Sequence, residues 1–271
     1  METDVGAAHA DAPSRQALTA KAPASAPLSP WRPALAGSQA TLLVFLLVVL
    51  FAAMRFLGML GPASLRPLLP ISFVMMTVAP WLLLGRNGRL GIGLQRPRSW
   101  LALGPTILAG VLAALACFAL GLLMFGHSQD NWYMTIAANY RGMMDTAGFA
   151  SWKLHLVFTL PALLLSPIGE EIFFRGLLQG ALEQRLSVRL STLIECGLFG
   201  LVHLCHHGIA IGAAGLTIRP ISAAIWVGAM FLTAFLFAAI RKRTGSLFPA
   251  IAAHAAFNAT MNAVIFAFLW H

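Results

Sequence analysis

The sequence predicts an all-α fold: a polytopic transmembrane helix bundle of about seven spans behind a disordered N-terminal tail. Three observations carry that expectation. Of the 271 residues, 59% are apolar and only 10% charged, against roughly 25% charged in soluble globular domains. The apolar residues collect in runs close to the ~20 that cross a bilayer as a helix. Basic residues fall on alternate connections between those runs, as membrane insertion requires. A soluble enzyme is excluded, because no aqueous core could receive this much apolar surface.

Residues 1–39 are rich in Ala, Pro and Ser, begin with the acidic Glu2, Asp4 and Asp11, and show no apolar periodicity. They read as a disordered cytoplasmic tail and not as a secretory signal. Seven apolar segments follow, at about 41–60, 68–84, 101–125, 154–183, 190–207, 221–240 and 247–270. The fourth is long and interrupted by Pro161 and Pro167. No period-two alternation is sustained, so a membrane barrel is not expected. With the tail inside, the inner regions hold Arg15, Lys21, Arg32, Arg86, Arg89, Arg96, Arg98, Arg185, Arg189, Arg241, Lys242 and Arg243. The outer loops hold only Arg66, Arg141, Lys153 and Arg219. This division puts His271 outside, and the scattering of charge argues against a nucleic-acid surface. Arg55 lies near a segment end, from which it is expected to snorkel to the interface; Arg175 has no such exit. Cys117, Cys196 and Cys205 lie within apolar runs without metal-ligand spacing and read as core residues.

Beyond the tail there are six acidic residues, three of them, Glu170, Glu171 and Glu195, in apolar surroundings. Ionisable groups there cost about 2.5–3.5 kcal/mol each on insertion scales and so face protein or a water-filled cavity. On a helix Glu171 and Arg175 are i,i+4 neighbours able to pair, whereas Glu170 points roughly 100° away and is expected to lack that partner. The fourth and fifth segments form a hairpin turning near Ser187. Glu170 precedes that turn by 17 residues and His203 follows it by 16, so both come to about 25 Å from it. His254 and Asn258 follow Arg243 by 11 and 15 residues, about 16 and 22 Å into the last segment and on one helical face. Three helices thus bring a carboxylate, two imidazoles and a carboxamide to one buried level, a set suited to activating water and stabilising an oxyanion. Taken singly, each group also has a structural reading, as a buried ion pair or an interhelical hydrogen bond. Glu195 is assigned to such pairing and left out of the site. His206 and His207 extend His203 into a His-x-x-His-His pattern, read as interfacial solvation in preference to metal ligation. No Gly-x-Ser-x-Gly elbow, His-Glu-x-x-His motif or activated cysteine offers a competing chemistry.

Glu170-Glu171-Ile-Phe-Phe-Arg175, Phe199-Gly-Leu-Val-His203 and His254-Ala-Ala-Phe-Asn258 together resemble the three motifs of the CPBP family of intramembrane proteases, which includes the Rce1-type CAAX prenyl endopeptidases. The resemblance implies a catalytic bundle over residues 150–265 and a variable N-terminal part over 40–149. It implies an intramembrane endopeptidase acting on a membrane-associated protein or peptide. Glu170 would activate water with His203, Glu171 and Arg175 would hold the site's geometry, and His254 with Asn258 would stabilise the oxyanion. The family has also been described as metalloproteases. A metal-free glutamate mechanism with no cofactor is favoured; a zinc ion, were one bound, would take Glu170, His203 and His254. The Ala- and Arg-rich tail suggests a bacterial cytoplasmic membrane. Two other classes keep a place: a proton-coupled transporter, which would usually show repeated halves, and a non-catalytic immunity or binding protein of the same fold.

Overall fold

The computed structural model describes residue 31 and residues 38–212 and 215–270. Most of the tail read over 1–39 lies outside the described residues, as does His271. Trp31 is the exception: it is buried, bridges to Leu84, and donates from Nε1 to Gln184 Oε1 at 2.9 Å.

Seven helical segments are long and apolar enough to cross a membrane, at 39–60, 63–83, 100–125, 151–183, 188–205, 220–244 and 248–269. Within them α1 is Ser38–Leu60, α2 Leu68–Leu83, α4 Leu103–Phe125, α6 Ser151–Leu164, α7 Ser166–Glu170, α8 Gln179–Glu183, α9 Val188–Val202, α10 Pro220–Thr244 and α11 Phe248–Val264; α3, Arg86–Gly91, is a short connector. Large apolar side chains such as Val49, Leu82, Leu123 and Leu232 point outward along these spans, the arrangement lipid favours and water would not. The chain is an integral membrane protein.

Local sequence explains the breaks. Pro167 has no N–H to donate one turn back, so the fourth span divides at Leu165 into α6 and α7. Beyond α7, Glu171–Leu178 adopts π-helical i→i+5 bonding, a widened geometry that recurs at functional sites. Gly245, at φ +68°, closes α10 by donating its N–H to Arg241 O, and Arg241, Lys242 and Arg243 complement that helix's C-terminal dipole. Small residues set the closest approaches. Gly110 lies with Ala114, Cys117 and Gly121 on the buried stripe of α4, and any Cβ on Gly110 would collide with the Ala253 carbonyl of α11. A Cβ on Gly169 would come 2.6 Å from Phe73 O of α2.

Two further elements lie between spans. Helix α5, Trp132–Met143, occupies the connection after α4, capped by Asn131, whose Oδ1 accepts from Tyr133 N at 3.0 Å. Strands β1, Ile209–Gly212, and β2, Gly215–Ile218, form an antiparallel hairpin between α9 and α10. Buried residues gather into two cores. One is built by α1, α2, the π-helical turn and α9 around Phe51, Phe173 and Phe199; the other by α4, α5, α10 and α11 around Trp132, Trp226 and Phe237.

Candidate active site

Glu170 ends α7 and is wholly buried. Its Oε1 accepts from Arg55 Nη1 of α1 at 2.5 Å and from Ser166 Oγ at 3.0 Å. Its Oε2 has no hydrogen-bond partner and lies 4.0 Å from both His203 Nε2 and His254 Nε2. The imidazoles are oriented from behind. His203 Nδ1 sits 2.7 Å from Phe199 O, and His254 Nδ1 sits 2.8 Å from Glu171 Oε1. Carbonyl and carboxylate oxygens can only accept, so each Nδ1 carries a hydrogen and each ring turns its Nε2 toward Glu170.

Behind His254 lies a second ionic cluster. Glu171 Oε1 is 3.2 Å from Arg175 Nη1, and Arg175 Nε is 3.5 Å from Glu195 Oε1, all three fully buried. The Arg175 guanidinium also stacks 3.9 Å over the Phe199 ring. Glu195 therefore shares the ion pair that the sequence assigned to Glu171 and Arg175 alone.

Two expectations are corrected. Arg55 does not snorkel: its residue is 2% exposed, it holds Glu170, and its Nη2 donates to His206 Nε2 at 2.8 Å. A guanidinium this deep needs a carboxylate, and Glu170 supplies it; by the same contact Glu170 does have a charged partner. His206 and His207 are not solvated interfacial groups either. His206 Nε2 accepts from Arg55, and His207 is buried between Thr135 Oγ1 and Ser222 Oγ, each 3.0 Å away.

His203, His254 and Asn258 line one cavity of about 360 Å³ with Arg55 and Ser166 on its wall. Asn258 is one turn beyond His254 on α11, and one of its amide hydrogens is committed to Ala162 O at 2.9 Å. Helix α5 lines the cavity with Ile136, Asn139, Tyr140 and Met143, held by Tyr140 Oη donating to Asn262 Oδ1 at 2.9 Å and Asn139 Nδ2 donating to His206 O at 3.2 Å.

Residues 151–260 match the family model of type II CAAX prenyl endopeptidases, Rce1-like. The chain carries an Rce1-like domain. Neither the curated proteins nor the solved structures compared with the chain gave a match. The Rce1-like domain supplies Glu170, Glu171, Arg175, Glu195, His203, His254 and Asn258, while Arg55 comes from α1, outside the matched residues. The family is one of CAAX protease-type intramembrane endopeptidases.

A zinc ion fits this arrangement poorly. Ligands about 2.0–2.2 Å from a tetrahedral zinc lie roughly 3.4 Å apart, whereas Glu170 Oε2 is 4.0 Å from either imidazole nitrogen. Arg55 places a positive charge on the same carboxylate, and among the described residues no group of three His, Cys, Asp or Glu is arranged to hold a metal. A 4.0 Å span suits one water bridging two groups by ordinary hydrogen bonds.

Arg55 and Ser166 escaped the sequence reading. The signal for Arg55 was the balance of buried charge: two arginines and three glutamates fall within apolar segments, and pairing Arg175 with Glu171 leaves Arg55 as the one cation for Glu170 and Glu195.

Proposed function

We propose that the chain is an intramembrane endopeptidase in which Glu170 and the flanking imidazoles activate water against a peptide bond of a membrane-associated protein. The observation that carries this reading is Glu170 Oε2, buried and unpartnered, equidistant from two imidazole nitrogens on a cavity wall. A water in that gap donates one hydrogen to Oε2 and is held by His203 Nε2. Arg55 and Ser166 fix Oε1, so the carboxylate is left with its other oxygen toward the two imidazoles that line the cavity. As water attacks the carbonyl carbon, its proton passes to Glu170, and the oxyanion forms on the α11 side. Asn258 offers its second amide hydrogen there. His254, held at Nδ1 by Glu171, presents its Nε2 to the same side, and in this reading a hydrogen there donates to the oxyanion. Collapse of the tetrahedral intermediate returns the proton from Glu170 to the leaving amine, which closes the cycle without a covalent enzyme intermediate.

In this reading residues 150–265 carry the chemistry and residues 40–149 hold it in place. Geometry disfavours a zinc-dependent reading, and a non-catalytic immunity protein would need none of the orientation imposed on His203 and His254. The test is to compare the N-termini of membrane proteins in cells with the chain and without it. One or more new termini that depend on the chain support the proposal; identical sets of termini overturn it.

A further inference from the structure

The cavity is not symmetric across the bundle. Toward one end of the bundle it is lined by Met59 at the end of α1, Pro70 in the first turn of α2, Met143 at the end of α5, and Val157 and Pro161 of α6. Its floor is formed by His203, His254, Phe199 and Phe237. Beyond the floor the bundle is solid: Phe173, Phe174, Arg175, Leu177 and Leu178 are each at most 1% exposed. The cavity therefore lies toward one end of the bundle, the end that carries α5 and the β1–β2 hairpin.

Charge identifies that face. Among the described residues the opposite ends of the spans carry Arg86, Arg89, Arg96, Arg98, Arg185, Arg189, Arg241, Lys242 and Arg243. The cavity face carries Arg66, Arg141, Lys153 and Arg219. Three of these four are tied to backbone carbonyls, Arg66 to Gly142 and Met143, Arg141 to Leu269, and Arg219 to Gln129, so they act as fold contacts. Lys and Arg in short connections remain on the cytoplasmic side during insertion.

We propose that the cavity opens to the non-cytoplasmic side of the membrane and that the bond it receives lies in a peptide segment exposed there, at or just outside the outer leaflet. The assignment of a peptide substrate rests on the protease reading above; the direction of opening does not. Helix α5 then lies across the entrance on the outer surface, where Met143 and Tyr140 meet an incoming segment before it reaches Glu170.

Single cysteines at Met143→Cys, Asp145→Cys and Asn87→Cys, in the full chain with its buried native cysteines retained, are exposed to a membrane-impermeant maleimide in whole cells. The unsubstituted chain sets the background. Labelling at residues 143 and 145 in intact cells, with residue 87 labelled only after permeabilisation, is the expected result. Labelling of residue 87 in intact cells, or failure of both 143 and 145 to label there, overturns the proposal. Labelling needs no turnover, so the same pattern is expected with Glu170→Gln in the background. Loss of the hydrolase reading and loss of the orientation are thereby separately visible.

Discussion

Arg55 and Glu170 stand 115 residues apart in the chain, and neither could be buried in an apolar bundle without the other. Removing one partner of such a pair typically costs about 3–5 kcal/mol because the remaining charge is left uncompensated. Arg55→Met is therefore expected to lower the thermal stability of the purified chain strongly, and Arg55→Met combined with Glu170→Met to recover most of the loss. Additive losses in this double-mutant cycle would contradict the pairing. Glu170→Gln should be milder, since an amide oxygen can still accept from Arg55. Arg175→Met should match Arg55→Met in cost, because it leaves both Glu171 and Glu195 without a cation. At this scale the sequence disclosed the Glu171–Arg175 spacing but not the 55–170 contact. The first follows from helix periodicity, while the second depends on how distant helices pack, to which local spacing is blind.

Helix α4 meets α11 through Gly110, whose Cα faces the Ala253 carbonyl one residue before His254. Gly110→Val is expected to push α11 away from α7 and destabilise the bundle by about 1–3 kcal/mol, read as a lower melting temperature; an unchanged melting temperature would refute the close approach. Helix α5 depends on His207, which bridges Thr135 and Ser222. Burial, reinforced by the positive charge of Arg219, pushes the His207 imidazole down to about 4. The folded state thus prefers neutral His207, and its contribution is complete above the unfolded value near 6.5 and lost as pH falls from there toward 4. Amide exchange in residues 132–143 should accelerate over that window, and His207→Gln should remove the pH dependence. All seven spans were legible because apolar runs of bilayer length are a strong signal. Helix α5 was not, although Trp132, Tyr133, Ile136, Ala137 and Tyr140 trace one face of a helix, because the segment is too short and polar to register as a span. The β1–β2 hairpin has only four residues in each strand, too few for alternation to stand out.

The whole molecule is a lipid-facing bundle with one asymmetric cavity, and its Rce1-like domain is completed by an arginine from α1. The three motifs carried the Rce1-like resemblance and the level at which Glu170, His203 and His254 meet; what they could not carry was which groups are already occupied, since that depends on Arg55, Phe199 O and Glu171 from three different elements. A metal-free mechanism predicts that the purified chain keeps its activity through exhaustive chelation and holds less than one zinc per chain. Loss on chelation with recovery on added Zn²⁺ would contradict it. The central claim is that Glu170 activates the attacking water. Its most direct test is the rate of cleavage of a bond cut by the wild-type chain, measured with Glu170→Gln at equal amounts of folded, membrane-inserted protein. The predicted result is a fall of about 100-fold or more, the usual size of a lost general base. Cleavage at the wild-type rate would contradict the account.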